Sequence, residues 1–357
     1  MNLILQHKVR DFGLIHWYNC SPVSKHYHLD YGVRETRKWR RLLFIPVSLG
    51  LVIYGSFVIL SKSAPQTTVD VSKAALSQTT QTPSSAAQPK ITVPISWPKY
   101  GYAAYSVPKD NIVVASINKP QRVPIASLAK VITVLAVLKE SPLEPGQQGP
   151  MITLDEQDVA LVSEYAQKSG STVPVIAGEQ ISQYQMMQAI LMPSSNNMSD
   201  SLVRWTFGSV DEYIVYANTM LKDLGLEETI VADDASGYSP NTVSSAEDLT
   251  ELGFLYMQEP VLREIAMTKQ ATIPVAGTIY NANSFINTDG VVGIKIGNTD
   301  EAGKCFLAAS VRQTSESTEE VSIAVVLGAQ NFNTAAEDAG TILKAGNNGH
   351  DKLKKIL

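Results

Sequence analysis

Three short stretches carry side chains that could do chemistry together. The first is Ser127-Leu128-Ala129-Lys130, inside the apolar run Pro124-Ile125-Ala126-Ser127-Leu128-Ala129-Lys130-Val131-Ile132. A serine and a lysine three apart share one face of a helix. Apolar surroundings make a charged lysine costly, so its pKa falls and the neutral amine can act as base for the serine hydroxyl. The same residues also read as an ordinary helix start, with Ser127 as N-cap and Lys130 reaching out to solvent. A bare S-x-x-K turns up about once by chance in a chain of this length.

The second stretch is Pro193-Ser194-Ser195-Asn196-Asn197, where a hydroxyl and an amide could pass a proton and hold a peptide carbonyl. It reads equally as a helix break followed by an N-cap. The third is Val292-Gly293-Ile294-Lys295-Ile296-Gly297-Asn298-Thr299, with strand character. There Lys295 would bring positive charge beside a nucleophile, and Gly297 would let a substrate backbone come close. An edge strand guarded by a lysine is the plain alternative.

Histidine placement narrows the choice of base. The five histidines are His7, His16, His26, His28 and His350, so none lies between Leu29 and Gly349. A Ser-His-Asp triad in the main body is excluded, as is an HExxH zinc site. Cys20 and Cys305 are too few for a disulfide framework or a metal cluster. Neither a cofactor nor a metal is called for. If Ser127 is a nucleophile, Lys130 is its nearest candidate base.

These residues need elements to position them. Tyr102–Val107 and Ile112–Ile117 read as strands of a hairpin joined by Pro108-Lys109-Asp110-Asn111. The helix carrying Ser127 follows and ends before Pro142. Ile152–Lys168 has a mixed, partly helical pattern, and Ser182–Leu191, Ser199–Trp205 and Val210–Leu224 look helical. Three late strands are expected at Val291–Ile296, Cys305–Val311 and Val321–Leu327, then a closing helix over Thr334–Ala345 capped by Thr334. Strands, then helices, then strands and a helix indicate an α+β fold, with one antiparallel sheet and a mostly helical second lobe.

Outside that domain the composition changes. Residues 1–41 are an arm rich in aromatic and basic residues, with eight Lys/Arg against three Asp/Glu and a net charge of +5. The remainder carries 21 basic and 31 acidic residues, a net −10, which argues against a nucleic-acid partner. Leu42 to Leu60 is uncharged; at about 1.5 Å per residue it spans the ~30 Å hydrocarbon core. Arg34, Arg37, Lys38, Arg40 and Arg41 precede it, so the N-terminus is expected in the cytoplasm and the rest outside. The run is long for a signal-peptide core and Lys62-Ser63-Ala64 is a poor cleavage site, which favours a retained anchor. Residues 61–94, rich in Ser, Thr, Gln, Ala and Pro, read as a disordered tether. A catalytic domain is then expected over 95–346 and a short basic tail over 347–357.

Taken in order, S-x-x-K, S-x-N and K-x-G are the motif set of penicillin-binding proteins and class A β-lactamases. The chain resembles the D-alanyl-D-alanine carboxypeptidases, the low-molecular-mass penicillin-binding proteins, from about Tyr102 to Ala345. Ile190-Leu191-Met192-Pro193, Ser245-Ala246-Glu247-Asp248-Leu249, Asn281-Ala282-Asn283 and Asn298-Thr299-Asp300-Glu301-Ala302-Gly303 extend the likeness beyond the motifs. The resemblance implies a β-lactamase/transpeptidase-like fold and a bacterial cell-membrane protein with an extracytoplasmic catalytic domain. It implies removal of the terminal D-Ala from a peptidoglycan stem peptide, with β-lactam antibiotics as covalent inhibitors. It casts Ser127 as the acylated nucleophile, Lys130 as its base and Ser194 as proton relay. Asn196 would hold the substrate backbone and Lys130, and Lys295 would keep the local potential positive. Gly297, Asn298 and Thr299 would line the substrate, with the Ser127 and Asn298 backbone N–H groups as oxyanion hole.

Two positions depart from the family pattern, both where a substrate carboxylate would be held. Ile296 stands where Thr or Ser is usual, and Gln330 where many relatives have arginine. Thr299, Lys295 or Arg312 are the candidates to compensate. A class A-like β-lactamase, with Glu227 or Glu228 as deacylating acid, is one alternative. A catalytically weak wall-binding scaffold is the other.

Overall fold

The computed structural model describes residues 95–108, 112–115, 121–285, 290–313 and 319–354. The predicted arm, membrane span and tether, and the hairpin turn at 109–111, lie outside the described residues. Among the described residues, no helix is long and apolar enough to cross a membrane.

Strand β1 (Tyr102–Val107) shows how the sheet divides the molecule. Ala103, Tyr105 and Val107 enter one core and Ala104 the other, as a period of two requires. β2 (Ile112–Ala115) pairs antiparallel with β1. β3 (Val123–Pro124) leads into a 3-10 turn, Ala126–Leu128, and then α1 (Ala129–Glu140). Nearly every residue of α1 is buried, as expected for a helix that is apolar all round. β4 (Met151–Thr153), α2 (Glu156–Gln167) and β5 (Gln180–Ser182) follow, with β4 and β5 paired. α3 (Gln183–Leu191), α4 (Asn196–Phe207) and α5 (Val210–Asp223) all contact α1 and build the helical lobe around it.

The chain then returns to the sheet. β6 (Val243–Ser244) pairs with β3. α6 (Ala246–Gln258) starts at Ser245, whose hydroxyl accepts from Asp248 N–H (3.0 Å), and α7 (Pro260–Met267) has proline at its first position. β7 (Gln270–Ile273) and β8 (Gly277–Tyr280) form a separate hairpin. β9 (Val291–Thr299), β10 (Gly303–Gln313), β11 (Glu319–Ala329) and α8 (Phe332–Lys354) complete the order. The main sheet runs β2-β1-β11-β10-β9, antiparallel throughout. On one face Tyr105, Phe306, Ala324 and Val326 meet Ala335, Ala339, Ile342 and Leu343 of α8. On the other, Leu307, Ile323 and Val325 join the core that holds α1 and α6.

The α+β reading and the predicted sheet strands agree with this architecture. Several details differ. The mixed pattern of Ile152–Lys168 splits because Asp155 and Asp158 form a capping box that begins α2 there. The closing helix starts at Phe332, and Asn331 rather than Thr334 supplies the cap, its Oδ1 accepting from Thr334 N–H (2.9 Å). The helix also runs on past its expected end at Ala345, through Lys354. Gly346-Asn347-Asn348-Gly349 reads locally as a helix stop. Tertiary bonds override it, for Asn347 accepts from Tyr105 Oη–H (2.9 Å) and donates to Ser310 Oγ (3.3 Å). α6, α7 and the β7–β8 hairpin had not been expected.

Candidate active site

The predicted residues meet where the start of α1, the start of α4 and strand β9 converge. Ile125, Ala126, Leu128 and Ala129 are all buried and anchor the turn that carries Ser127. Ala126 adopts φ +47°, a left-handed conformation that costs a β-carbon residue about 1–3 kcal/mol. Ser127 is not a helix cap and Lys130 does not reach solvent. Lys130 is fully buried. Its Nζ lies 2.8 Å from Ser127 Oγ, 2.7 Å from Asn196 Oδ1 and 2.9 Å from the Ser236 carbonyl oxygen. Burial lowers its pKa to about 7, against the opposing pull of the Asp234 and Asp200 charges. A neutral Lys130 can therefore accept from the Ser127 hydroxyl while donating to the two carbonyl oxygens.

Within Ser194-Ser195-Asn196-Asn197 the structure gives the two serines and the two asparagines different surroundings. Ser195 is the N-cap of α4 and donates to Asn197 Oδ1 (2.6 Å). Asn197 in turn bonds the Val173 backbone at both N and O (3.1 Å each). That pair is structural. Ser194 and Asn196 face the cleft instead. Ser194, at φ +64°, accepts from Lys295 Nζ (2.9 Å).

β9 is an edge of the sheet, but its lysine does not guard that edge. Lys295 is 2% exposed and also donates to the Ile296 carbonyl (2.9 Å). Burial, with the Lys130 charge beside it, holds its pKa well below the ordinary lysine value. Gly297 passes directly alongside Ser127: a Cβ there would stand 3.0 Å from Ser127 N and 3.1 Å from Ile125 O. Asn298 is exposed and accepts from Lys304 Nζ; Thr299 Oγ1 accepts from Ala302 N–H (3.1 Å). A cavity of about 250 Å³ is lined by Ser127, Ser194, Asn196, Ile296, Gly297, Asn298 and Thr299, with Tyr238 and Phe332. A larger opening of about 880 Å³ lies between β10 and α8, lined by Phe306, Arg312 and Lys344; of the residues singled out in the sequence it holds Arg312 alone.

Several groups at the site carry no signal in the sequence. Asp233-Asp234-Ala235-Ser236-Gly237 reads as a polar loop, yet Ser236 supplies a partner to Lys130. Gly237, at φ +72°, lies so close under the turn that carries Ser127 that a Cβ would sit 2.1 Å from Ala126 O. Asp200, buried one turn along α4 from Asn196, and Tyr165 on α2 were likewise missed. Arg312 is not a cleft residue. It pairs with Glu320 and with Asp351 (2.9 Å), so it does not replace the missing carboxylate partner. Glu228 is tied to Arg122 (3.0 Å), and neither it nor Glu227 lines the cavity.

Known proteins share this arrangement of chain. Residues 109–331 match the family described as D-alanyl-D-alanine carboxypeptidase. A D-alanyl-D-alanine endopeptidase of Pseudomonas aeruginosa is 31% identical over 202 residues, covering 55% of this chain and 62% of the relative. The D-alanyl-D-alanine carboxypeptidase DacF of Bacillus subtilis is 26% identical over 228 residues, 61% of this chain and 54% of that one. The chain thus spans less than two thirds of the length of the curated relatives it matches. Among solved structures, penicillin binding protein 6B from Escherichia coli superposes with a TM-score of 0.63 at 22% identity, over 72% of this chain and 80% of that one, a likeness of fold.

Proposed function

The chain belongs to the D-alanyl-D-alanine carboxypeptidase family, and from that premise we propose that it is a serine DD-peptidase acting on peptidoglycan stem peptides through an acyl-enzyme on Ser127. The single observation that carries the reading is the 2.8 Å contact between Ser127 Oγ and a fully buried Lys130 whose pKa is lowered to about 7. Lys130 takes the Ser127 proton as Oγ attacks the substrate carbonyl carbon. The oxyanion is received by the backbone N–H groups of Ser127 and Asn298, donors of a kind worth about 3–4 kcal/mol. Ser194, held by Lys295 (2.9 Å), passes the proton to the leaving amine as the peptide bond breaks. Water then hydrolyses the ester. Asn196 holds Lys130 and the substrate backbone.

Intact-mass analysis after incubation with a penicillin tests this. One covalent adduct is expected on the wild-type chain and none on Ser127→Ala. A well-folded wild type that forms no adduct overturns the proposal in favour of a wall-binding scaffold. Rapid turnover of a chromogenic cephalosporin, instead of a trapped adduct, would favour the β-lactamase reading.

The leaving group supports a second reading, endopeptidase action on a cross-linked peptide. Ile296 brings an apolar side chain to the cavity where a hydroxyl would help hold a terminal carboxylate, and the Pseudomonas relative is named an endopeptidase. Release of free D-Ala against cleavage of cross-linked dimers separates the two. The proposed setting is the outer face of a bacterial cell membrane, on a single-pass anchor at 42–60 with a tether at 61–94. Its support is the charge-flanked apolar run. Membrane fractionation of the full chain, compared with a variant lacking 42–60, checks it.

A further inference from the structure

The direct partners of Lys130 Nζ are a hydroxyl and two carbonyl oxygens, none of them charged. Two carboxylates stand behind them. Asp200 lies on the same face of α4 as Asn196, one turn on. Its Oδ1 accepts from Ala235 N–H (3.0 Å) and its Oδ2 from Tyr165 Oη–H (2.6 Å). Asp234 Oδ1 accepts from Ser236 N–H and Ser236 Oγ–H (2.6 Å each) and from Tyr238 N–H (3.1 Å); its Oδ2 accepts from Ser239 N–H (2.7 Å). One acid therefore grips residue 235 and the other residue 236. Thr133 Oγ1 adds a bond to the Ala235 carbonyl (2.6 Å). Together they fix the Ser236 carbonyl on the amine.

Both acids are buried, 5% and 8% exposed. A buried carboxylate is costly unless donors and a cation offset it. Lys130 is the cation that eases the Asp200 charge, and both acid charges act back on Lys130. We propose that Asp200 and Asp234 are the counter-charge of Lys130: positioning residues that seat its amine and stabilise the ammonium formed when it takes the Ser127 proton. This rests on the Ser127 acyl-enzyme reading. The proton moves from Ser127 Oγ to Lys130 Nζ as the Oγ–acyl bond forms; neither acid bonds a reacting atom.

The groups that face this cluster come from five elements. They are Tyr165 of α2 with Lys168 at its C-terminal end, Lys130 of α1, Tyr213 of α5 (bonded to Thr133, 2.9 Å), Asp234 and Tyr238 of the loop, and Lys295 of β9 on the far side of Lys130. Burial raises the pKa of Tyr165 and Tyr213, so both stay neutral. Burial lowers Lys130 to about 7 and raises Asp200 to about 6, and Lys295 is held well below the ordinary lysine value.

The sign follows. An ionised Asp200 favours the charged Lys130; removing it lets Lys130 lose its proton at lower pH and leaves the ammonium of the transition state less stable. The test is the acylation rate of the full chain by a chromogenic cephalosporin across the neutral pH range. Asp200→Asn keeps the acceptor for Ala235 N–H. It should lower the plateau about tenfold and move the acid limb down by about one pH unit. Tyr165→Phe leaves the carboxylate but removes a donor that favours its charge, so it should shift the limb the same way by less. A purely structural role lowers the plateau without moving the limb. An Asp200→Asn limb at the wild-type position overturns the inference; if that variant does not fold, a wild-type limb in Tyr165→Phe does so. A wild type that forms no Ser127 adduct fails the acyl-enzyme reading instead, which keeps the two failures apart.

Discussion

Two cation sites, one partly exposed beside α8 and one buried in the cleft, are built in opposite ways. Under α8, the Arg312 guanidinium is bound by two carboxylates, the buried Glu320 and Asp351 at 2.9 Å. Burial pulls its pKa down, but the bonds to Asp351 and Glu320 outweigh that and raise it. In the cleft, Lys130 and Lys295 touch only hydroxyl and carbonyl oxygens, and burial lowers both. A cation in direct contact with carboxylates is fixed in its charge and serves the fold. A cation given neutral acceptors, with its counter-charge one layer back, sits close to exchanging a proton.

Exchanging each cation for an apolar side chain is the severest trial of that contrast. Lys130→Met should lower acylation by about 10²–10⁴, while chemical denaturation shows a smaller loss of stability than Arg312→Met, because Asp200 and Asp234 keep their own hydrogen-bond donors when the amine is gone. Arg312→Met should do the reverse: acylation within about twofold of wild type, and a loss of about 1–3 kcal/mol from removing a charged partner of the buried Glu320, which keeps His350 Nδ1 at 3.3 Å. Arg312→Met with lost acylation and intact stability would break the contrast. A smaller effect is expected in pH dependence. Acylation should rise with pH through about 7 as Lys130 loses its proton. Lys130 also links to stability: from about pH 7 to its ordinary value of 10.5 the unfolded chain holds a proton there that the folded chain does not, so this group makes stability increase with pH across that window. Unfolding free energies of wild type and Lys130→Met over that range isolate the contribution.

Substrate-side changes should be milder and sharpen the picture at the cleft mouth. Ile296→Thr should raise kcat/KM on peptides ending in D-Ala by about three- to tenfold, since a hydrogen bond to a charged group is worth about 1.5–3 kcal/mol at most. Efficient release of D-Ala by the wild type, unchanged by this substitution, would show that Ile296 is no handicap. Lys304, bonded to Asn298 and 5.4 Å from the Phe332 ring centroid, is a cation at that mouth. Lys304→Gln should weaken turnover of a peptide acid by about two- to fivefold and leave the peptide amide alone, as a partly exposed charge contributes little.

What was legible in the sequence follows the range of each signal. Strand alternation is local, so Tyr102–Val107 was read to the residue. A triplet of spaced motifs is a chain-wide signal, and it brought Ser127, Lys130, Ser194, Asn196 and Lys295 into one expectation. The α8 boundary was missed because Tyr105 and Ser310, far away in sequence, keep Asn347 helical against its glycine neighbours. Asp200, Asp234 and Ser236 act on Lys130 from 70 to 106 positions away, and nothing in their local context announces it.

The edge position of β9 has one more consequence. Its hydrogen-bonding rim beside Gly297 is the side of the sheet with no neighbouring strand among the described residues. A peptide laid there as an added strand is gripped through its main chain, and successive side chains turn alternately toward the protein and toward water. Such a cleft reads every second residue of its ligand and ignores those between. Modifications on the outward residues pass unnoticed, while the same change one position along blocks docking.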